Sequence, residues 1–449
     1  MHTSEKEAEI IDCIVIGAGY SGLAAALRLS QEGRRVKIIE STEDIGGLAG
    51  TFEFSDGVRV ERFYHHWFRS DTYILELINE LGLGSSVMWV PSKTGSFLNK
   101  QIWKLSTPLD LLRFKELSLL DRFRLGLGVL YARTIRDHRK IESLTIREWL
   151  EPVVGRRAFD VVWEPLISHK FGSWGDSVSA AWMWKKLILR AGSRKSGGHE
   201  LLAYFSGGFS AVSKALRGAI EAQGSSINLG ESVHKVSQTP AGLVKVETDA
   251  GIYIARAVII ATPHPVSQRL LAVKPVEAEL EGGGSIPHLA NMCLVLRLDR
   301  SLSDTYWLNV NDPGFPFVGV IEHTNLDPSS SYADSHIVYL SRYLDTQDPV
   351  WSNSDREFHD YCLPHLERMF PTFDKGWILE WRVWRARYAQ PVTTVNYSAS
   401  QPGYRTEFRN VFTVNMAQIY PEDRGTNYAV RGGFEVAQEA KQYLASLAS

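Results

Sequence analysis

Three glycines and one carboxylate near the start of the chain have the types and spacing to hold a phosphorylated ligand. In Gly17-Ala18-Gly19-Tyr20-Ser21-Gly22 the first glycine permits a tight turn and the second lets backbone approach a pyrophosphate. The third lets a helix lie close on a strand. Glu40 follows at the end of the next apolar run. Its carboxylate can accept both hydroxyls of a ribose and would repel a 2′-phosphate. A second group is Tyr64-His65-His66-Trp67-Phe68. Imidazoles titrate near neutrality, so His65 and His66 are candidates to relay protons; they could equally be rings packed in an aromatic cluster. A third is Trp381 to Pro391, where a strand would put Arg385 and Arg387 on one face with Trp381 and Val383. Arginines beside tryptophans suit a carboxylate or diphosphate clamp, and they also suit a salt-bridged edge strand.

The elements that must position these residues can be read from pattern. Ile11–Ile16 is a β-branched run, Leu23–Leu29 reads as a helix stopped by Gly33, and Val36–Ile39 as a second strand ending at Glu40. Strand, glycine turn, helix, strand and acid in that order make a dinucleotide-binding βαβ unit, with helix amides facing the phosphates. A glycine-dense loop, 41–51, follows, then short strands at Thr51–Phe54 and Val58–Glu61 and a helix Tyr73–Leu81. Residues 86–200 read as mainly helical, with Pro108, Pro152 and Pro165 as starts or breaks and 193–199 as a mobile loop. Gly207-Gly208 opens another helix. Strands are expected at Ser226–Leu229, Val233–Val236, a hairpin Leu243–Thr248 with Ile252–Ala255, and a separate buried strand Ala257–Ala261. A glycine-rich crossing spans 275–287. His288–Pro391 alternates strands with one helix, Ser354–Arg368, and Val411–Val414 is a strand before a last helix.

Bulk composition narrows the function classes. The 449 residues are 44% hydrophobic and 22% charged, with a net charge of −2. That is an ordinary globular balance with no general affinity for nucleic acid. Cys13, Cys293 and Cys362 are scattered, which implies neither a disulfide framework nor a metal site and points to a reducing, cytoplasmic setting. No apolar run approaches ~20 residues, so no membrane span is expected. Met1 to Glu9 is polar and reads as a loose tail. The 13 tryptophans supply walls for a large cavity. Residues 105–133 carry Leu and Arg on amphipathic helices that could rest on a lipid surface, although interleaved charge favours solvated helices.

Residues 11–51, 204–236, 257–263 and 410–434 together resemble the FAD-dependent superfamily of monoamine oxidase, protoporphyrinogen oxidase, phytoene desaturase and UDP-galactopyranose mutase. The resemblance covers nearly the whole chain. It implies an α/β protein with a Rossmann-type, glutathione-reductase-like FAD-binding domain and an inserted α+β substrate domain of helical bundle plus mixed sheet. The expected boundaries are 1–85, 200–275 and 405–449 for the FAD domain, 86–199 for the helical insertion and 276–404 for the substrate sheet. It implies FAD contacts from Gly17 to Gly22 (Ala18, Gly19, Tyr20 and Ser21 included), from Glu40, and from the backbone of Gly46, Gly47 and Leu48, where the family's usual arginine is missing. Val233 is implied at the adenine, Ala261 at the crossing below the cofactor, and Asn415 and Met416 along the ribityl-pyrophosphate. Asn427 and Tyr428 are implied at flavin N1 and O2, where a helix N-terminus stabilises the reduced, anionic flavin.

The resemblance places His65 and His66 at the flavin face, Arg385 on the substrate side and Tyr420 as the substrate-facing tyrosine of the mutases. Two functions follow. One is an FAD-dependent dehydrogenase, desaturase or oxidase acting on a small-molecule or lipid-like substrate, with an electron acceptor, oligomeric state and any peripheral membrane contact left open. The other is a redox-neutral mutase acting on a nucleotide sugar, although the Tyr-Thr-Gly stretch of such mutases is missing. A flavin-binding protein without turnover fits so complete a site less well than either.

Overall fold

Residues 10–105, 107–192, 200–271 and 286–447 are described in a computed structural model of the chain. The loose tail, the 193–199 loop and nearly all of the 275–287 crossing lie outside the described residues.

Ile10–Ile16 forms the middle of a sheet because it is apolar on both faces, as a strand covered by helices must be. It pairs in parallel with Val36–Ile39 on one side and with Gly251–Ile260 on the other. Ser226–Asn228 extends the sheet beyond Val36–Ile39, and the antiparallel strands Val244–Thr248 and Val233–Gln238 extend it beyond Gly251–Ile260. Val411–Thr413 then joins in parallel, Val258 to Ile260 facing Val411 to Thr413. The sheet thus draws on residues from 10 to 413. Two expected strands, 252–255 and 257–261, are one continuous strand, since only Arg256 separates two apolar runs and nothing there turns the chain. Helices Tyr20–Gln31 and Thr426–Ser446 pack together closely. A Cβ at Gly433 would sit 2.5 Å from the Ser21 carbonyl oxygen, so only glycine allows that approach.

A second sheet runs in the order 378–391, 288–298, 336–344, 319–322, 307–310, 94–98, 101–104. Its strand His288–Leu298 is buried at nearly every position, as a strand with core on both faces must be. Met292, Leu294 and Leu296 meet Phe358, Cys362 and Leu366 of helix Asp355–Met369. Cys293 and Val295 face the other way, into a core shared with Trp67, Tyr204 and Phe209.

The stretch read as mainly helical begins instead with strands: Val87–Ser92 pairs with Glu200–Phe205, and Thr94–Leu98 with Trp307–Val310. Their partners are distant in sequence, and short apolar runs carry too few residues to reveal a period of two. From residue 108 onwards helices dominate. Ser118, Thr145 and Ser354 accept backbone N–H bonds at helix starts, and Thr107 and Asp110 form a reciprocal box. Trp149, Phe159, Phe171, Trp182 and Trp184 form the core of this helical region. Among the described residues no helix is long and apolar enough to cross a membrane.

Candidate flavin site

The glycine turn, the loop after Glu40 and the chain after Val411 enclose a cavity of about 930 Å³. Its floor is backbone. Gly17 has φ +104°, and a Cβ there would lie 2.8 Å from the Ala261 carbonyl oxygen; at Gly22 it would lie 2.0 Å from the Gly17 carbonyl oxygen. The Gly46 N–H donates to Ala18 O at 2.8 Å, and a Cβ on Gly47 would meet Gly19 Cα at 3.1 Å, so two glycine-rich backbones lie against each other. No side chain caps helix Tyr20–Gln31 at Gly19, or helix Thr426–Ser446 at Gly425. Both N-termini border the cavity with amides free to meet negative charge.

Glu40 is fixed at the cavity edge. Its Oε2 accepts from Ala18 N–H at 2.8 Å, and its Oε1 accepts from Thr42 N–H and Thr42 Oγ1 at 2.9 Å each. Beyond it, Glu231, Ser232, Val233 and His234 line one end, and Ala261, Thr262 and Pro263 form a wall. Asn415 and Met416 line the cavity as well. Asn415 Oδ1 accepts from Ala417 N–H at 3.0 Å, while its buried Nδ2 has no partner among the described residues. A buried amide donor without an acceptor is costly, so that atom calls for a ligand acceptor.

Most residues named from sequence meet here: Gly17, Gly19, Tyr20, Ser21, Glu40, Gly46, Gly47, Leu48, Val233, Ala261, Asn415, Met416 and His65 all line the cavity. Ala18 takes part through its amide on Glu40, and Gly22 by letting the helix close on the turn. Two C-terminal candidates face elsewhere. Asn427 is buried and its Oδ1 accepts from Ile74 N–H at 3.2 Å, which caps helix Thr72–Glu80. The Tyr428 ring lies under Arg431, its guanidinium 5.0 Å from the ring centre. The helix instead offers Gly425, Thr426 and Ala429 to the cavity, with Thr426 Oγ1 held by Trp67 Nε1–H at 2.7 Å.

His65 and His66 differ. His65 lines the cavity and its Nδ1 lies 2.6 Å from Phe63 O. A carbonyl only accepts, so Nδ1 carries the proton and Nε2 is left as an acceptor. Burial pushes the His65 imidazolium down to about 4, so the ring is neutral at pH 7. His66 pairs with the Tyr306 hydroxyl at 2.9 Å, packs against Phe68 and Trp307, and is pushed down to about 3 chiefly by burial. It is a packed ring and does not line the cavity.

Arg385 lies on the sheet face that carries helix Asp355–Met369. It pairs with Asp355 and donates to Asn353 O at 2.7 Å, which is the salt-bridged alternative for that strand. Tyr420 belongs to the core of the helical region. Its hydroxyl is 3.0 Å from Ser179 Oγ and its ring packs on Tyr397 and His138.

Sequence reasoning missed the charged side chains at the roof. Arg424 lines the cavity, donates to Tyr343 Oη at 2.6 Å and bonds Ala389 O. Beside it one oxygen of Asp423 accepts from Lys170 Nζ at 2.8 Å and Lys186 Nζ at 2.9 Å. Burial alone would raise the Asp423 carboxyl, but Lys170, Lys186 and Arg424 hold it well below the carboxylate range. Burial lowers the Lys186 ammonium to about 8 against the attraction of Asp423, and Lys170 pushes it the same way. The signal was a lysine within each of two aromatic helical stretches, at 170 and 186. Glu61 was missed as well. Buried, it accepts from Phe209 N–H at 2.8 Å and Tyr204 Oη–H at 2.7 Å, tying a strand to the start of helix Gly208–Ala222.

The sequence profile of the flavin containing amine oxidoreductases matches residues 20–440, and the chain belongs to that family. FAD is its cofactor, and the residues present fit it: a cavity with two uncapped helix starts, a fixed carboxylate and an amide lacking an acceptor. The chain is 28% identical over 183 residues to coproporphyrinogen III oxidase of Propionibacterium freudenreichii subsp. freudenreichii. That match covers 37% of this chain and 33% of the relative, about a third of its length. Among solved structures it is similar to a putative protoporphyrinogen oxidase from Exiguobacterium sp. 255-15, with TM-score 0.75, 17% identity, and coverage of 97% and 99% of the two chains. It is also similar to reduced UDP-galactopyranose mutase, with TM-score 0.75 and 13% identity over 96% of each chain. At such identities the likeness is one of mixed α/β fold.

Proposed function

We propose that the chain is an FAD-dependent oxidoreductase of the dehydrogenase, desaturase or oxidase type, which takes hydride from an organic substrate and passes electrons to an acceptor outside the chain. The observation that carries this reading is a single cavity bordered both by the glycine turn with Glu40 and by residues 414–429. A site for a nicotinamide dinucleotide would not need the second set. In this reading the FAD domain is Rossmann-type, assembled from 1–85, 200–275 and 405–449, with 86–199 and 276–404 built over it.

Each part of the chain then has one task. Glu40 accepts the ribose hydroxyls of the ADP half, and the amides of the turn at Gly17 to Gly22 and of the loop at Gly46 to Leu48 face the phosphates. The Val233 backbone meets the adenine. Asn415 Nδ2 donates to the ribityl-pyrophosphate, which supplies its missing acceptor. The start of helix Thr426–Ser446, through Gly425 and Thr426, sets positive partial charge where the reduced ring would be anionic. The bound flavin supplies the hydride acceptor. Neutral His65 offers Nε2 as an acceptor at the cavity wall, and Arg424 holds charge at the roof.

Tyr420 and Arg385, the side chains that would serve a nucleotide sugar, are engaged elsewhere, which favours redox turnover over the mutase reading. Purified protein should be yellow and should bleach anaerobically with one member of a panel of amines, polyprenoids, porphyrinogens and nucleotide sugars. Glu40→Ala should lower FAD retention by about tenfold, the worth of one or two charge-assisted hydrogen bonds. Conversion of a nucleotide sugar only after dithionite reduction, with no reductant consumed, would establish the mutase instead.

A further inference from the structure

We propose that the helices Pro108–Arg113 and Leu119–Thr134 form a docking surface for an anionic phospholipid bilayer. Among the described residues, eight of the sixteen exposed large hydrophobic side chains fall between Leu109 and Tyr131. The most open are Leu119 at 72%, Phe123 at 66% and Leu120 at 64%. Single exposed leucines are ordinary on soluble proteins, whereas a contiguous apolar patch marks an interaction site.

The placement on the helix is regular. At about 100° per residue, Leu119, Leu120, Phe123, Leu127, Leu130 and Tyr131 fall within one arc of about 120°. The protein-facing side is the opposite one. It carries Leu125, Gly128 and Ala132, all buried, and a Cβ on Gly128 would meet Val154 Cγ1 at 2.7 Å. The inward face is therefore fixed by close packing on helix Ile146–Val154, and the outward apolar stripe has no partner among the described residues. Arg124 borders the stripe on one side and Arg133 on the other, while Asp121 falls on the protein side. Basic side chains at the margins with leucines between them let an interfacial helix sink its apolar face below the headgroups.

Charge selects the occupant. Residues 108–140 hold eight Lys and Arg against four Asp and Glu, a surplus of four in a chain whose net charge is −2. A second copy presenting the same face would bring the same positive surplus against it, because a two-fold interface pairs like patches. An anionic headgroup layer attracts that surplus. The surface lies on the bilayer; it does not cross it.

The test is cosedimentation of the FAD-loaded full chain with vesicles of phosphatidylcholine alone and of equal parts phosphatidylcholine and phosphatidylglycerol. The protein should pellet with the anionic vesicles and largely stay free with the neutral ones. The variant L120D/F123D/L127D should lose about tenfold or more in partitioning, with flavin content and melting temperature held, since these side chains already face water. The variant R113Q/K115Q/R124Q should weaken anionic binding by about fivefold per charge at low salt. Equal partitioning of parent and L120D/F123D/L127D overturns the proposal. So does a dimer, seen by sedimentation velocity, that the aspartates dissociate while the parent ignores vesicles.

Discussion

The floor and the roof of the cavity are built in opposite ways. The floor uses backbone: glycines at 17, 19, 46 and 47 let amides and carbonyls approach one another and a ligand, and the one charged side chain, Glu40, is pinned by amides two and twenty-two residues away. The roof uses side chains brought from far apart: His65 and Arg424 line it, Tyr343 accepts from Arg424, and the adjacent Asp423 is held by Lys170 and Lys186. A backbone floor binds what every member of a cofactor class shares. A side-chain roof can change with the substrate and leave the floor untouched.

The largest effect that would break this contrast is at Gly22. A Val there puts its Cβ on the Gly17 carbonyl, so FAD should be absent from the purified Gly22→Val protein and stability to urea should fall by about 3 kcal/mol or more. Retained flavin at parental occupancy would show that the floor tolerates side chains.

At the roof, Asp423→Asn removes the charge shared by two largely buried lysines. We expect a loss of about 3 kcal/mol in urea unfolding with the flavin still bound when saturating FAD is supplied.

The aromatic layer between floor and roof should be the acid-sensitive part. His66 is neutral in the fold, with its imidazolium pushed down to about 3 by burial, and takes up a proton near 6.5 once unfolded. Its contribution is thus complete above about pH 6.5 and is lost as pH falls towards 3. Comparing urea unfolding at pH 7 and pH 5, the parent's loss should exceed that of His66→Phe by about 2 kcal/mol. An equal loss in both proteins would place the acid sensitivity elsewhere. The smallest effect is expected at Arg385→Ala. Its ion pair with Asp355 is open to solvent, so stability should shift by no more than about 0.5 kcal/mol and FAD occupancy should be unchanged.

The same contrast explains what could be read in advance. The Gly17–Gly22 turn, Glu40 and the strands beside them are local patterns whose meaning survives without knowledge of the rest of the chain. Asn415 and Met416 were found only through a family likeness. The side chains of Asn427 and Tyr428 turn away from the cavity that Gly425, Thr426 and Ala429 line, since a helix start shows which amides are free but not which side chains a neighbouring element will claim. Lys170 and Arg424 were missed because their role depends on a carboxylate distant in sequence from one of them and adjacent to the other. The strands Val87–Ser92 and Thr94–Leu98 escaped notice for the same reason: each pairs with a strand more than a hundred residues away.

The pairing of Val411–Thr413 with Val258–Ile260 has a consequence for how the protein is made. A ribosome will have released the glycine turn hundreds of residues before it releases Asn415, Gly425 and the helix that closes on Ser21. Throughout that interval the nascent chain holds half a cradle, with Val258–Ile260 exposing an edge that has no neighbour. Because contacts so far apart in sequence form slowly, the second half of the cradle closes late in biosynthesis, after the glycine turn and Glu40 are already in place.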